Sequence, residues 1–139
     1  MAHLQTNQTD NGSLETHWLK LAQAVDSIRS NLPDSKIVLS ATIAPNWDVF
    51  GDGAPGVSFS KEAKREYVTV VKGYLENTVK FAKSQHIPLA DAYHTSLDSN
   101  GNGKLTYIND GDHIHYSDAG RELFAQKVTD AILVNRLLE

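Results

Sequence analysis

One short apolar segment, residues 36–43, constrains the fold more than any other part of the sequence. It reads Lys-Ile-Val-Leu-Ser-Ala-Thr-Ile, is rich in β-branched residues and ends just before Pro45. A nearly continuous apolar run of this length is typical of a β-strand that is covered on both faces. Such strands belong to parallel sheets, so we expect this segment to be a buried parallel strand.

Helical patterns flank this strand on both sides. Apolar residues recur at helical spacing over residues 14–32, where Ser13 is placed to cap a helix and Pro33 to end it. The other predicted elements are a helix over residues 61–85, a strand over 87–92 and a helix that begins at Ser117. This alternation predicts right-handed crossovers and a parallel sheet, that is, an α/β fold.

Composition limits the chemistry that is open to the chain. Its 139 residues are enough for one domain, residues 1–139, with a sizeable core. The absence of cysteine excludes disulfides and a thiol nucleophile. The formal net charge is -4 and the basic residues are dispersed, which argues against a nucleic acid or an anionic membrane as partner. Without an apolar run of about 18 residues, we expect a soluble protein, either cytoplasmic or secreted after loss of a signal.

Two long loops are the places where we expect function. Residues 46–60, rich in Gly, Asp and Pro, should overhang a ligand site, and residues 97–116 should meet them beyond the carboxyl ends of the strands. The second loop contains Asp112 three residues before His115. At this spacing the carboxylate can orient the imidazole while the imidazole acts as a general base. The alternative is a purely structural histidine at the entry of the next helix, bonded to Asp112.

Asp112-x-x-His115, followed by Gly120 and then by a helix, resembles the last conserved block of the SGNH or GDSL ester hydrolases. The sequence Asp-His-Ile-His at residues 112–115 is similar to the corresponding motif in the rhamnogalacturonan acetylesterase-like branch. The resemblance implies a flavodoxin-like three-layer α/β/α fold and hydrolysis of acyl or acetyl esters, with small-molecule or carbohydrate esters as substrates. It also implies that His115 activates a serine and that Asp112 steadies His115, with no cofactor required.

The N-terminal blocks of that family are not found here. The Gly-Asp-Ser block that carries the nucleophile is absent, and the Gly-x-Asn-Asp block is replaced by Gln-Thr-Asn-Gln at residues 5–8. Only Asn7 matches, as an oxyanion donor implied by the resemblance. We therefore expect a shortened chain that lacks the first strands, although residues 2–6 are a candidate strand. Ser58 and Ser60 superficially resemble a nucleophile elbow, but no strand precedes them and the closing glycine is missing.

Two metal sites are conceivable from residue type and spacing. Residues 98–109 follow the EF-hand calcium loop at positions 1, 3, 5 and 6 but have Asn at position 12 in place of the bidentate Glu. The candidate calcium ligands are Asp98, Asn100, Asn102, Lys104 and Asn109, and the alternative is a hydrophilic Asn-Gly turn. A transition metal would use Asp110, Asp112, His113 and His115. His17, His86 and His94 stand singly, and we expect surface or packing roles for them.

The missing strands lead to a different functional hypothesis. They would leave one strand edge unpaired, and an uncovered edge invites pairing with another chain. The alternative to an active esterase is thus a catalytically incomplete fragment that forms a dimer or another homo-oligomer, or a calcium-binding module through the Asp98 loop.

Overall fold

The computed structural model describes residues 11–139, which contain both helices and strands. In chain order the elements are α1 (Asn11–Asn31), β1 (Leu39–Ala41), α2 (Lys61–Ser84), β2 (Leu89–Asp91), α3 (Ala92–Ser96) and α4 (Asp118–Val134). A 3-10 turn, Leu105–Tyr107, lies between α3 and α4. The predicted α/β character is confirmed for this part of the chain, while the candidate strand at residues 2–6 lies outside it. No helix in the described range has the length and apolarity needed to cross a bilayer.

The two strands pair in parallel, as the alternation of helices and strands predicts. Their register places Leu39 opposite Leu89, Ser40 opposite Ala90 and Ala41 opposite Asp91. Both strands are shorter than the predicted ranges, 36–43 and 87–92. The chain leaves the ladder early because α3 offers other partners: the Ala44 N–H donates to the Ser96 hydroxyl at 2.7 Å, and Asp91 already caps α3.

Serine side chains mark the starts of the two helices that flank the candidate site. Ser60 accepts a backbone N–H of the first turn of α2 at 3.1 Å, and Ser117 accepts the Gly120 N–H at 3.0 Å as the cap of α4. The second contact confirms the predicted start at Ser117. The predicted cap at Ser13 is wrong, because α1 already begins at Asn11. Residues 11–13 are Asn, Gly and Ser, so apolar spacing could not mark this first turn.

Apolar clusters fasten the helices to the strands. Phe81 of α2 is 1% exposed and packs against Val25 of α1 and Ile87, which precedes β2. Trp18 stands edge-on to Phe81, with 5.1 Å between the ring centroids. Burying one such side chain stabilises the fold by about 1.5–3 kcal/mol. A separate cluster, around Ile43, joins the end of β1 to α4.

The start of α4 lies close to the loop that carries the candidate site. A Cβ on Gly120 would lie 2.2 Å from the carbonyl oxygen of Tyr107, and the Ser117 N–H donates to the same oxygen at 3.0 Å. The sequence predicts that Gly120 lets this helix approach the sheet, and α4 does pack against β2. At Gly120 itself the close contact is with the Tyr107 carbonyl, so the start of α4 also fixes the loop.

Candidate functional site

The structure brings Asp112 and His115 into direct contact. Oδ1 of Asp112 accepts the backbone N–H groups of Ile114 (2.9 Å) and His115 (3.0 Å). Oδ2 lies 2.5 Å from Nδ1 of His115. The three-residue spacing therefore lets one carboxylate close a backbone turn and orient the imidazole of that same turn.

These contacts hold Asp112 ionised. The hydrogen bond from the Ile114 N–H, followed by those from the side chain and the N–H of His115, lowers the pKa of Asp112 to about 2. An ionised carboxylate only accepts hydrogen bonds, so Nδ1 of His115 carries the proton of the shared bond. Nε2 of the neutral ring then has a free lone pair, and the side chain is 78% exposed. His115 thus has the tautomer and the exposure that a general base requires.

Hydrogen bonds of Asn109 close the loop around the dyad. The Asn109 N–H donates to the carbonyl of His115, and the Asn109 carbonyl accepts the N–H of His113, both at 2.8 Å. The Asn109 side-chain oxygen accepts the Gly111 N–H at 2.8 Å. Residues 109–115 are therefore held by their own backbone, which keeps the imidazole in one place.

The long loop at residues 46–60 covers this segment, as expected. The Asp52 carbonyl accepts a hydrogen bond from Nδ1 of His113 at 2.7 Å, and the Asp52 carboxylate pairs with Lys64 of α2 at 2.6 Å. A Cβ on Gly53 would lie 2.3 Å from the carbonyl oxygen of Gly111, so the two backbones are in close contact. The two loops are therefore joined directly beside the dyad.

A cavity of about 290 Å³ lies at the carboxyl end of β1 and includes His115 in its lining. Residues 42–45, which follow β1, form one side, and Phe50 of the long loop and Val71 of α2 form others. This position agrees with the rule that ligands of parallel sheets bind beyond the carboxyl ends of the strands. The dyad thus borders a partly open cavity in which a ligand can be held.

A larger cavity, of about 550 Å³, lies between α1 and α2 and is lined by Leu14, Glu15, Trp18, Leu19 and Asn77. These residues bring one carboxylate and no imidazole to its walls. A single exposed carboxylate without a partner is a poor acid–base catalyst at neutral pH. The cavity beside His115, in contrast, is lined by imidazole groups that can transfer a proton.

The predicted calcium ligands are Asp98, Asn100, Asn102, Lys104 and Asn109. In the structure, Oδ1 of Asp98 accepts the N–H groups of Asn100 (2.8 Å) and Asn102 (2.9 Å). The side-chain oxygen of Asn102 likewise accepts backbone N–H groups, and the Lys72 ammonium bonds to the Gly101 carbonyl. A calcium ion would have to displace these donors, and the calcium hypothesis stays a prediction.

The predicted transition-metal ligands, Asp110, Asp112, His113 and His115, do not form a cluster. Within residues 11–139, no three histidine or carboxylate side chains come together in a way that could hold a metal ion. His113 turns Nδ1 to the Asp52 carbonyl and His115 turns Nδ1 to Asp112. The His-x-His pair is thus divided between two different contacts.

No serine among the described residues lines the cavity beside His115. Ser60 caps α2, and Ser58 is exposed outside that lining. The hydroxyl groups of the lining residues are those of Thr42 and Tyr116, and these two side chains interact with each other. Asn7, the predicted oxyanion donor, lies outside the described residues. The described part of the site therefore supplies a base and its orienting carboxylate.

A second Asp-x-x-His pair lies at the end of β2, so His94 does not stand singly, although it has the expected surface and packing role. Asp91 accepts the N–H of His94 at 3.0 Å and bonds to its Nδ1 at 2.7 Å, as Asp112 does for His115. Nε2 of His94, however, lies 3.1 Å from Glu76 of α2. Both ring nitrogens are thus engaged, so His94 joins α2 to β2 instead of offering a free base. The repeated three-residue spacing was the sequence signal for this pair.

The comparisons with known proteins give no family assignment. The chain matches no protein-family model, no curated protein and no solved structure. The resemblance to the SGNH hydrolases therefore remains a prediction from the residues around His115.

Proposed function

We propose that the chain carries the Asp–His arm of a carboxylic ester hydrolase of the SGNH type, with His115 as base and Asp112 as its orienting partner. The observation that carries the proposal is the 2.5 Å contact between Oδ2 of Asp112 and Nδ1 of His115, with the ring exposed beside a cavity. The parallel β1–β2 pair between helices is compatible with part of a three-layer, flavodoxin-like α/β/α fold.

The proton transfers follow from the tautomer of His115. Nε2 accepts the proton of the attacking hydroxyl, which belongs to a serine in the SGNH type of reaction or to water, while that oxygen bonds to the ester carbonyl carbon. The imidazolium that forms is stabilised by the ionised Asp112. When the carbonyl–alcohol bond breaks, Nε2–H returns the proton to the departing alcohol oxygen. Asn7 remains the proposed oxyanion donor.

The exposure of His115 favours esters with a large alcohol portion. Its side chain is 78% exposed, so the alcohol that receives the proton from Nε2 faces solvent. A sugar or another bulky alcohol can lie there without being enclosed. We therefore propose small-molecule or carbohydrate esters as the substrate class.

Hydrolysis of p-nitrophenyl esters by His115→Ala tests this function. General-base catalysis contributes about 10²–10⁴-fold, so we expect the rate above background to fall by about that factor. The matched control is His94→Ala, which removes the imidazole of the other Asp-x-x-His pair and should leave the rate of the folded enzyme unchanged. Equal rates for wild type and His115→Ala would reject the proposal.

A second candidate function is self-association through the edge of the sheet. In the described part of the chain β1 has a strand partner on one side, β2. A strand edge without a partner offers its N–H and C=O groups to another chain. We propose a homo-oligomer formed along this edge, and light scattering that shows a strict monomer would count against it.

A further inference from the structure

The walls of the cavity beside His115 are predominantly apolar. Their hydrocarbon comes from Ile43, Phe50, Val71, Ile108 and Ile114. Among the described residues, no Asp, Glu, Lys or Arg side chain belongs to the lining. A charged or hydroxyl-rich group in this space would lose part of its hydration without gaining a charged partner, which is unfavourable. The lining thus favours a hydrocarbon group.

The polar groups of the lining are largely used by the protein itself. The hydroxyl of Tyr116 interacts with the Thr42 side chain and the Ile43 backbone, and burial raises the pKa of Tyr116 in spite of these interactions, so the phenol stays neutral. His113 donates from Nδ1 to the Asp52 carbonyl. Nε2 of His115 remains available for a ligand, which places the reacting bond at the His115 end of the apolar space.

The size of the cavity sets the length of the group that it can hold. A volume of about 290 Å³ corresponds to about ten water molecules at the density of the liquid. A methylene group is similar in size to a water molecule, so a straight chain of about four to eight carbons fits, with room for its carbonyl. An acetyl group would leave most of the space unfilled.

We propose that this cavity binds the acyl chain of the ester, and that the preferred acyl group is unbranched and about four to eight carbons long; this rests on the proposed function. The acyl side is assigned because the alcohol must depart, and the exposed face of His115 provides its exit. The acyl group stays bound until the acid is released, and a concave, mostly apolar site suits that requirement.

Binding of two neutral carboxamides tests the cavity without requiring turnover. NMR titration of the full chain with hexanamide and with acetamide should show hexanamide binding about tenfold tighter or more, because its extra methylenes are buried. The shifted signals should be those of His115, Val71 and Ile114. Equal affinities, or shifts confined to other residues, would overturn the proposal.

Variants of the cavity wall add an independent control. Val71→Phe fills the cavity and should abolish the preference for hexanamide, whereas Ile114→Ala, at a position that is 42% exposed, should reduce the preference without affecting folding. Leu133→Ala, at an exposed site outside the lining, is the matched control and should change nothing. An unchanged preference in both folded wall variants would contradict the assignment.

Ester hydrolysis separates this inference from the function on which it rests. His115-dependent hydrolysis that is faster for p-nitrophenyl acetate than for the hexanoate would overturn the acyl assignment and leave the esterase intact. Selective hexanamide binding without His115-dependent hydrolysis would remove the esterase and support the apolar cavity as a chain-length-selective site.

Discussion

Replacing Asp112 by Asn tests how the dyad works, because the change removes the charge and keeps the shape. The amide oxygen can still accept the N–H groups of Ile114 and His115, so the turn is retained. The amide NH₂ then takes the position of Oδ2 and faces Nδ1–H of His115. Two donors cannot bond, so the neutral ring moves its proton to Nε2. Asp112→Asn therefore keeps the fold and loses the base.

The contacts of Asp112 set the size of the effect. Hydrogen bonds to a charged group contribute about 1.5–3 kcal/mol each and neutral ones about 0.5–1.5 kcal/mol. The Asp112 side chain is 25% exposed, so solvent screens part of the difference. We expect the free energy of unfolding to fall by about 1–2 kcal/mol at neutral pH. We expect His115-dependent hydrolysis to fall by about 10²–10⁴-fold, because the wrong tautomer is populated.

The loss of stability should depend on pH in a defined direction. The pKa of Asp112 is lowered to about 2, so the carboxylate's contribution is fully present above about pH 4 and is lost as the pH falls through about 2. Urea unfolding of wild type and Asp112→Asn over this range measures the difference, and ¹⁵N NMR of the His115 ring reports the tautomer. A difference that stays constant down to about pH 2, or a variant ring that keeps Nδ1–H, would refute the reasoning.

Three further predictions concern close contacts and the Asp98 loop. Gly120→Ala should destabilise the fold by about 1–3 kcal/mol, because its Cβ would lie 2.2 Å from the Tyr107 carbonyl oxygen. Gly73→Ala in α2 has room for its Cβ and should stabilise the fold by about 1 kcal/mol. Urea unfolding checks both variants, and equal effects would contradict the packing argument. Gly53→Ala should lower the rate of His115-dependent hydrolysis more than Gly56→Ala does. Both glycines have positive φ, but only Gly53 lies against Gly111. Similar rates for the two variants would show that this loop contact is unimportant. Calcium should leave the Tm unchanged, because Oδ1 of Asp98 already accepts two N–H groups. A rise in Tm that Asp98→Asn abolishes would support calcium binding instead.

Much of the scaffold could be predicted from local patterns. Apolar spacing located the long helices, Ser117 marked the start of α4, and a β-branched run located the first strand. The contact between Asp112 and His115 could also be predicted, because both side chains belong to a single turn and the carboxylate needs only three residues to reach the ring. Features that depend on residues close in sequence could therefore be predicted from the sequence.

Features that depend on partners distant in sequence could not be predicted from local sequence patterns. The strands are short because the backbone after β1, at Ala44, bonds to Ser96, which lies 52 residues further along the chain. Nothing near His94 indicates that Glu76 of α2 engages its second nitrogen, so its spacing alone could not distinguish it from His115. His113 has a φ of 54°, which is a left-handed conformation. Its side chain bonds to the carbonyl of Asp52, which belongs to another loop. Tertiary packing determines the strand lengths, the second partner of His94 and the conformation of His113, and the local sequence pattern does not indicate that packing.

The most direct test of the central claim is a double-mutant cycle on ester hydrolysis with Asp112→Asn, His115→Ala and both together. If the carboxylate acts only through the imidazole, the double variant should be no slower than His115→Ala alone. Losses that multiply would show that Asp112 and His115 act independently, and rates unaffected by either change would remove the dyad from the chemistry altogether.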